Sequence, residues 1–261
     1  MFIGDSLTRY FYISLVYALK YSRFNNDTIV PNIVKEEEWG TYTYFYGNST
    51  KVLAPEHCDC YRGKLSSPYN FENRYFYDDS HSFNLTYYQY WGHDIHGHWQ
   101  DHGDYDILRA PLARQFKAFW SHNSIIDFFN SSIIPQLKIK PTIIVLNAGI
   151  WIPKDDTEYF TPDHLNAIMS SALRIVPRVI YKTTPYRKHD RDDFVYSPNN
   201  YTFPYKARED LACGIQGVEC FNLSWTRCVI DSSYVDWYHF KADIYTHMIV
   251  QFYHILSNHT L

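Results

Sequence analysis

Met1-Phe2-Ile3-Gly4-Asp5-Ser6-Leu7 opens the chain, and its reading decides the fold. Met1-Phe2-Ile3 has the composition of the end of a buried strand. Gly4-Asp5-Ser6 is a tight turn, and beyond it Leu7, Phe11, Leu15, Ala18 and Leu19 recur at helical spacing. The periodicity predicts a helix from Leu7 to Ser22. A strand that turns straight into a helix is the repeating unit of a parallel sheet covered by helices.

The same alternation continues downstream. Asn84 to Trp91 reads as a strand, and Ile125 to Leu137 as a helix interrupted by Pro135. Thr142 to Leu146 is a short β-branched run suited to a strand buried on both faces. His164 to Ile175 reads as a helix behind the Thr161-Pro162 start. Arg178 to Thr183 is the next strand, Cys220 to Ile230 contains the last, and Ala242 to Leu256 is a final helix. Residues 186–210 are polar and loop-like. Residues 23–80 read as an irregular lobe inserted between the first helix and the second core strand, with short aromatic strands such as Thr41 to Tyr46. The expected fold class is therefore α/β: a three-layer α/β/α sandwich with a mainly parallel central sheet, in a single domain over residues 1–261.

The 261 residues, 46% hydrophobic and 20% charged, suffice for one sizeable core. With 24 basic and 28 acidic residues the net charge is −4. The absence of any Lys/Arg run argues against a nucleic-acid partner. Aromatic residues make up 19%, led by 25 Tyr. Most belong to an aromatic-packed core, while part of the stock suits sugar-stacking platforms.

The N-x-S/T acceptor pattern occurs at Asn26, Asn48, Asn84, Asn130, Asn200, Asn222 and Asn258. Chance supplies roughly one or two in such a length, so the pattern points to the secretory pathway, a Golgi lumen or the extracellular space. Five cysteines, Cys58, Cys60, Cys213, Cys220 and Cys228, suit an oxidising lumen but leave one unpaired. Cys213 and Cys220 are spaced to close a short loop, whereas Cys58-x-Cys60 points to partners elsewhere in the chain. The sequence carries no signal peptide, and its first strand lies hard against Met1. An upstream segment is expected, carrying a signal or membrane anchor and a sixth cysteine.

Three short motifs carry chemistry. Ser6 sits where a nucleophile belongs, on a turn at the carboxyl end of a strand, facing a helix N-terminus whose N–H groups favour negative charge. The plain alternative makes Asp5 or Ser6 a helix N-cap. Asp236-Trp237-Tyr238-His239 places an acid and a histidine three apart. A serine hydroxyl needs such a base, and the base needs an orienting carboxylate. Asn147, directly after the Thr142–Leu146 strand, is placed either to direct its amide at an oxyanion or to serve as a turn residue.

Phe2-Ile3-Gly4-Asp5-Ser6-Leu7-Thr8-Arg9, Leu146-Asn147-Ala148-Gly149-Ile150-Trp151 and Asp236-Trp237-Tyr238-His239-Phe240 together resemble the GDSL/SGNH hydrolase superfamily. More narrowly they resemble its PC-esterase group, which includes the plant trichome-birefringence-like polysaccharide O-acetyltransferases. The resemblance implies Ser6, Asp236 and His239 as the catalytic triad. It also implies an oxyanion hole from Ser6, Asn147 and a glycine after the second core strand. Gly92 matches that glycine, with Gly97 competing. The implied activity is acyl transfer to or from hydroxyls of a glycan or glycoconjugate, through an acyl-serine intermediate and without a cofactor beyond the acyl donor. Two other readings remain: a glycan-binding module without turnover, and a metal-dependent hydrolase built on His93, Asp94, His96, His98 and His102. The latter lacks any strong metal-ligand spacing, so no metal is expected.

Overall fold

The structure, a computed structural model, describes residues 1–25, 42–62, 70–78, 83–90, 129, 140–150, 161–196 and 204–258. In chain order these form β1 (Phe2–Gly4), α1 (Ser6–Tyr21), α2 (Tyr42–Leu53), β2 (His57–Arg62), β3 (Asn70–Asp78), β4 (Phe83–Gln89) and β5 (Ile143–Leu146). They continue with α3 (Pro162–Leu173), β6 (Arg178–Lys182), α4 (Lys188–Tyr196), α5 (Lys206–Gly214), β7 (Val218–Phe221), two short 3₁₀ turns and α6 (Ala242–Ser257). The sheet runs β2-β3-β4-β1-β5-β6-β7. Its pairings from β4 through β7 are parallel, and those of β2 with β3 and β3 with β4 are antiparallel.

The chain is thus an α/β protein with a seven-stranded, mostly parallel mixed sheet and six helices among the described residues, compatible with three layers. Period-two alternation explains the layering. Phe2, Tyr87, Val145 and Ile180 point to the face covered by α1, α2 and α6. Ile3, Tyr88, Ile144, Leu146, Val179 and Tyr181 point to the face covered by α3 and α5. Strands buried on both sides must be apolar on both, which is why they read as short continuous runs. No described helix is long and apolar enough to cross a membrane.

Several expectations need correction. Thr41 to Tyr46 is not a strand, because the segment enters helix α2. Phe45, Tyr46, Ser49 and Leu53 are its buried residues, and their spacing is helical, not alternating. The described part of the 23–80 lobe is not irregular: it supplies α2 and the strands β2 and β3, which extend the core sheet. Residues 186–210 contain α4 and part of α5, helices in which charged residues are paired: Arg187 with Asp190 and the buried Arg208 with Glu209. The last strand is Val218–Phe221, earlier than expected, and Ser224–Cys228 is a 3₁₀ turn. The Ile125–Leu137 helix, apart from Phe129, lies outside the described residues.

Cys213 pairs with Cys220 as the spacing suggested. Cys58 pairs with Cys60, not with a distant partner. Residues i and i+2 of a strand face the same side, and here their Cα atoms are 5.3 Å apart, inside disulfide reach. Cys228 is free and exposed. Of the N-x-S/T asparagines, Asn84, Asn222 and Asn258 are exposed and Asn48 is half-buried, while Asn26, Asn130 and Asn200 lie outside the described residues.

Helix α1 departs from the one-sided amphipathic reading. Every residue from Ser6 to Ala18 is buried, because α2 and α6 pack on α1 where the sheet does not. That burial takes in Arg9, whose guanidinium donates to Glu72 at 2.9 Å. Glu72 also accepts from Arg74 Nε at 2.5 Å, and Arg74 reaches Glu56 at 2.9 Å and Ser49 at 3.1 Å. Two cations thus meet two carboxylates with all four side chains at most 3% exposed. Burial pushes the Glu56 carboxyl up to about 7, against the pull of the Arg74 charge. Removing one member strands charge in the core, so Glu72→Ala is expected to lower unfolding free energy by about 3–5 kcal/mol in urea titration. The exposed Lys206–Asp210 pair is the contrast: Asp210→Ala should change stability by less than about 1 kcal/mol.

Candidate active site

The turn between β1 and α1 has almost no freedom. Asp5 caps α1 by accepting from Leu7 N–H at 3.0 Å through one carboxylate oxygen. Its other oxygen accepts from Ile150 N–H at 3.0 Å, beyond the end of β5. The Tyr87 hydroxyl lies 3.0 Å from the Gly4 carbonyl and 3.1 Å from that of Asp5. A side chain at Gly4 would place its Cβ 2.4 Å from Thr8 Oγ1, so only glycine fits. Gly149 adopts φ +80°, and a Cβ there would come within 3.0 Å of Asp5.

Asp5 is therefore the N-cap, and Ser6, the first residue of α1, is left to do something else. Ser6 Oγ lies 2.8 Å from His239 Nε2, and His239 Nδ1 lies 2.7 Å from Asp236. A carboxylate only accepts, so Nδ1 carries the proton toward Asp236 and Nε2 is the acceptor for the serine hydroxyl. The three residues the sequence singled out as nucleophile, base and orienting acid are brought together. Ser6 is 7% and His239 8% exposed, a shelter that strengthens the hydrogen bond between them.

The loop that carries Asp236 and His239 is pinned at both ends. Tyr234 and Phe240 form a β-bridge, Val235 N–H donates to the His239 carbonyl, and Lys188 N–H donates to that of Trp237. Asp236 Oδ1 accepts from the N–H groups of Tyr238 at 2.6 Å and His239 at 2.8 Å. The three-residue spacing thus lets one carboxylate fold the loop with one oxygen and hold the imidazole with the other. Burial pushes the Asp236 carboxyl up. The hydrogen bond and charge of His239, together with the two backbone N–H groups, outweigh burial and hold it below the ordinary value.

Asn147 is not brought to this relay. It is fully buried, and both protons of its amide nitrogen are committed, to the Lys182 carbonyl at 2.8 Å and to Thr184 Oγ1 at 3.2 Å. Its oxygen accepts from Gly149 N–H at 3.1 Å. No proton is left to direct at an oxyanion, so the assignment of Asn147 as an oxyanion donor is corrected: it is a latch joining the ends of β5 and β6. The Ser6 N–H, at the start of α1, has no acceptor among the described residues, as an oxyanion donor requires. Gly92, Gly97 and the His93–His102 loop lie outside the described residues.

Among the described residues, the atoms that could hold a metal ion gather at Cys58, Cys60 and Glu72. They do not suit a cation: the thiols form a disulfide, and Glu72 is already held by two arginines. Sequence reasoning missed Lys182, which is fully buried beside Asp5 and Glu209 with no hydrogen-bond partner for its amine among the described residues. Burial lowers it to about 8, with Asp5 and Glu209 pulling the other way. A lysine ending the apolar run Arg178–Lys182 was the available signal.

The chain matches no protein-family model, no curated protein and no solved structure.

A carboxyl depressed in the folded state stabilises the fold above its unfolded pKa, here 3.8, and that contribution is lost as pH falls through the folded value. Asp236→Asn removes the titrating group. The stability gap between the native chain and Asp236→Asn is expected to be widest above pH 3.8 and to close as the solution is acidified below it. Urea melts at stepped pH measure it, and a gap that widens toward acid would refute the assignment.

Proposed function

We propose that the chain is a serine-dependent O-acyltransferase or esterase of the SGNH hydrolase kind, in the PC-esterase group, acting on hydroxyl esters of a glycan or glycoconjugate. The observation that carries the reading is the continuous relay from Asp236 through His239 to Ser6, with spacings of 2.7 and 2.8 Å. A histidine on a mere surface loop has no reason to be held by a carboxylate on one side and aimed at a helix-start serine on the other.

In the proposed reaction Ser6 Oγ attacks the ester carbonyl while its proton passes to His239 Nε2. Asp236 fixes the tautomer and stabilises the imidazolium without itself taking the proton. The oxyanion forms at the Ser6 N–H and the positive end of α1, with Gly92 as a second donor. Collapse expels the donor alkoxide, which recovers the proton from His239 and leaves an acyl-Ser6 ester. An acceptor hydroxyl, from a sugar or from water, then repeats the sequence in reverse. The chemistry needs an acyl donor and no further cofactor.

Support for a glycan comes from the rim. Trp237 and Tyr238 flank the base and are 59% and 36% exposed, and Lys188 Nζ lies 5.3 Å from the Trp237 ring centre. Flat amphipathic rings beside a nucleophile suit pyranose faces. The N-x-S/T pattern and two disulfides support a secretory or extracellular setting.

Covalent labelling by a fluorophosphonate tests the reading directly and separates it from a binding module without turnover. The native chain should label and Ser6→Ala should not. His239→Ala should be nearly as damaging, and Asp236→Asn should slow turnover by about 10⁴, as in other triads. Asn147→Ala should act instead through stability, by about 1–3 kcal/mol for the groups it leaves unpaired. A native chain that resists the reagent while binding sugars would favour the binding module.

A further inference from the structure

We propose that Tyr10 is a positioning residue for the catalytic base: its ring holds the His239 imidazole in the orientation that meets Ser6, and Arg9 and Glu72 hold the Tyr10 ring in turn. The inference rests on the serine-nucleophile reading, and it adds a part of the machinery that lies outside the triad motifs.

The need for such a part is geometric. Asp236 restrains His239 at a single nitrogen. One hydrogen bond fixes that nitrogen but leaves the ring able to swing about the bond axis, carrying Nε2 away from Ser6. A second restraint against the ring itself is required, and Tyr10 supplies it. The two ring centres are 4.9 Å apart with planes inclined at 80°, an edge-to-face contact of the favoured kind. Tyr10 is 1% exposed, so it has little room in which to yield.

Tyr10 is placed for this by the helix. It lies four residues after Ser6 on α1, and residues four apart share a face. One rigid element therefore presents both the nucleophile and the ring that braces the base. The brace is itself backed. Phe45 of α2 and Tyr245 of α6 pack against Tyr10 with ring centres 6.3 and 6.1 Å away. The Arg9 guanidinium lies 4.4 Å from the Tyr10 ring centre and is fixed from β3 by its 2.9 Å bond to Glu72. An unpaired cation here would oppose the imidazolium that forms when Ser6 gives up its proton. Glu72 pairs with it, so Arg9 lies against the Tyr10 ring as a paired cation. The β2–β3 extension of the sheet thereby becomes part of what aims His239.

The test uses the whole chain. Tyr10→Phe keeps the ring, and Tyr10→Met fills the space without one; Tyr10→Leu serves should the Met variant not fold. Each is measured for fluorophosphonate labelling rate, for stability in urea, and by nitrogen NMR of the histidine side chains, with the His239 signals identified by their loss in His239→Ala. Tyr10→Phe is expected to label near the native rate. Tyr10→Met should label about ten- to a hundredfold more slowly under conditions where it is fully folded, the scale set by misplacing a reacting group. Its His239 nitrogen shifts should move toward those of a ring averaging between tautomers, while the Phe variant keeps the native shifts. A folded Tyr10→Met that labels at the native rate with unchanged His239 shifts overturns the proposal. So does a Phe variant as slow as the Met variant, since the hydroxyl and not the ring would then be responsible. A native chain that does not label overturns the nucleophile reading instead, and the NMR comparison still decides whether Tyr10 holds the imidazole.

Discussion

The carboxylate of Asp5 has its two oxygens on two distant pieces of backbone, the first turn of α1 and the loop after β5. It is fully buried, so neither bond can be exchanged for water without strain elsewhere. This double attachment sets the angle at which α1 leaves the sheet and thus where Ser6 stands. Gly4 and Gly149 are the two positions where a side chain would collide with it or with the helix start. Asn147 extends the same scheme sideways by tying the loop after β5 to the end of β6. The turn between β1 and α1 is therefore not a flexible loop bearing a serine. It is a junction of three strand ends, and from it the Ser6 hydroxyl meets His239 Nε2.

Around that junction the protein keeps an unusual amount of charge out of water. Arg9, Arg74, Glu72 and Glu56 form a closed, neutral set behind α1, while Arg208 and Glu209 pair with each other beside Thr184 on the other flank. Buried ion pairs of this kind contribute less net stability than well-packed apolar side chains. What they supply is directional: Arg74 is bonded to Glu72, Glu56 and Ser49, it thereby fixes Glu72, and Glu72 in turn holds the Arg9 guanidinium that lies against the Tyr10 ring. The Tyr10 ring is the case that bears on the site.

The aromatic richness divides along the same line. Tyr10, Tyr12, Tyr17, Tyr87, Tyr88, Tyr181 and Tyr245 are fully buried, and Phe2, Phe11, Phe221 and Phe252 form one cluster between the sheet and the helices α1 and α6. Core packing accounts for these. Trp237 and Tyr238 are different, because they stand exposed on the loop that carries the base. Composition alone does not separate the two populations; position relative to the sheet does.

The local pattern determined by itself that Phe2-Ile3 is a strand and the next stretch a helix, that β5, α3, β6 and α6 exist, and which residues, Ser6, Asp236 and His239, to look for together. These signals act over a few residues, through side-chain alternation, helical spacing and turn geometry, and need no knowledge of the rest of the chain. The misreadings share the opposite cause. The aromatic run Thr41 to Tyr46 reads as a strand in isolation, because the helical burial of α2 depends on α1 packing against it. The Cys58–Cys60 pairing depends on a strand that the sequence does not mark, and the reading of Asn147 as an oxyanion donor or a turn residue lacks its partners Lys182 and Thr184, which come from the end of β6 and the loop beyond it. Only the tertiary structure decided that Ser6 and His239, 233 residues apart, stand 2.8 Å from each other, because that distance is set by how the sheet orders its strands and not by any property of either segment.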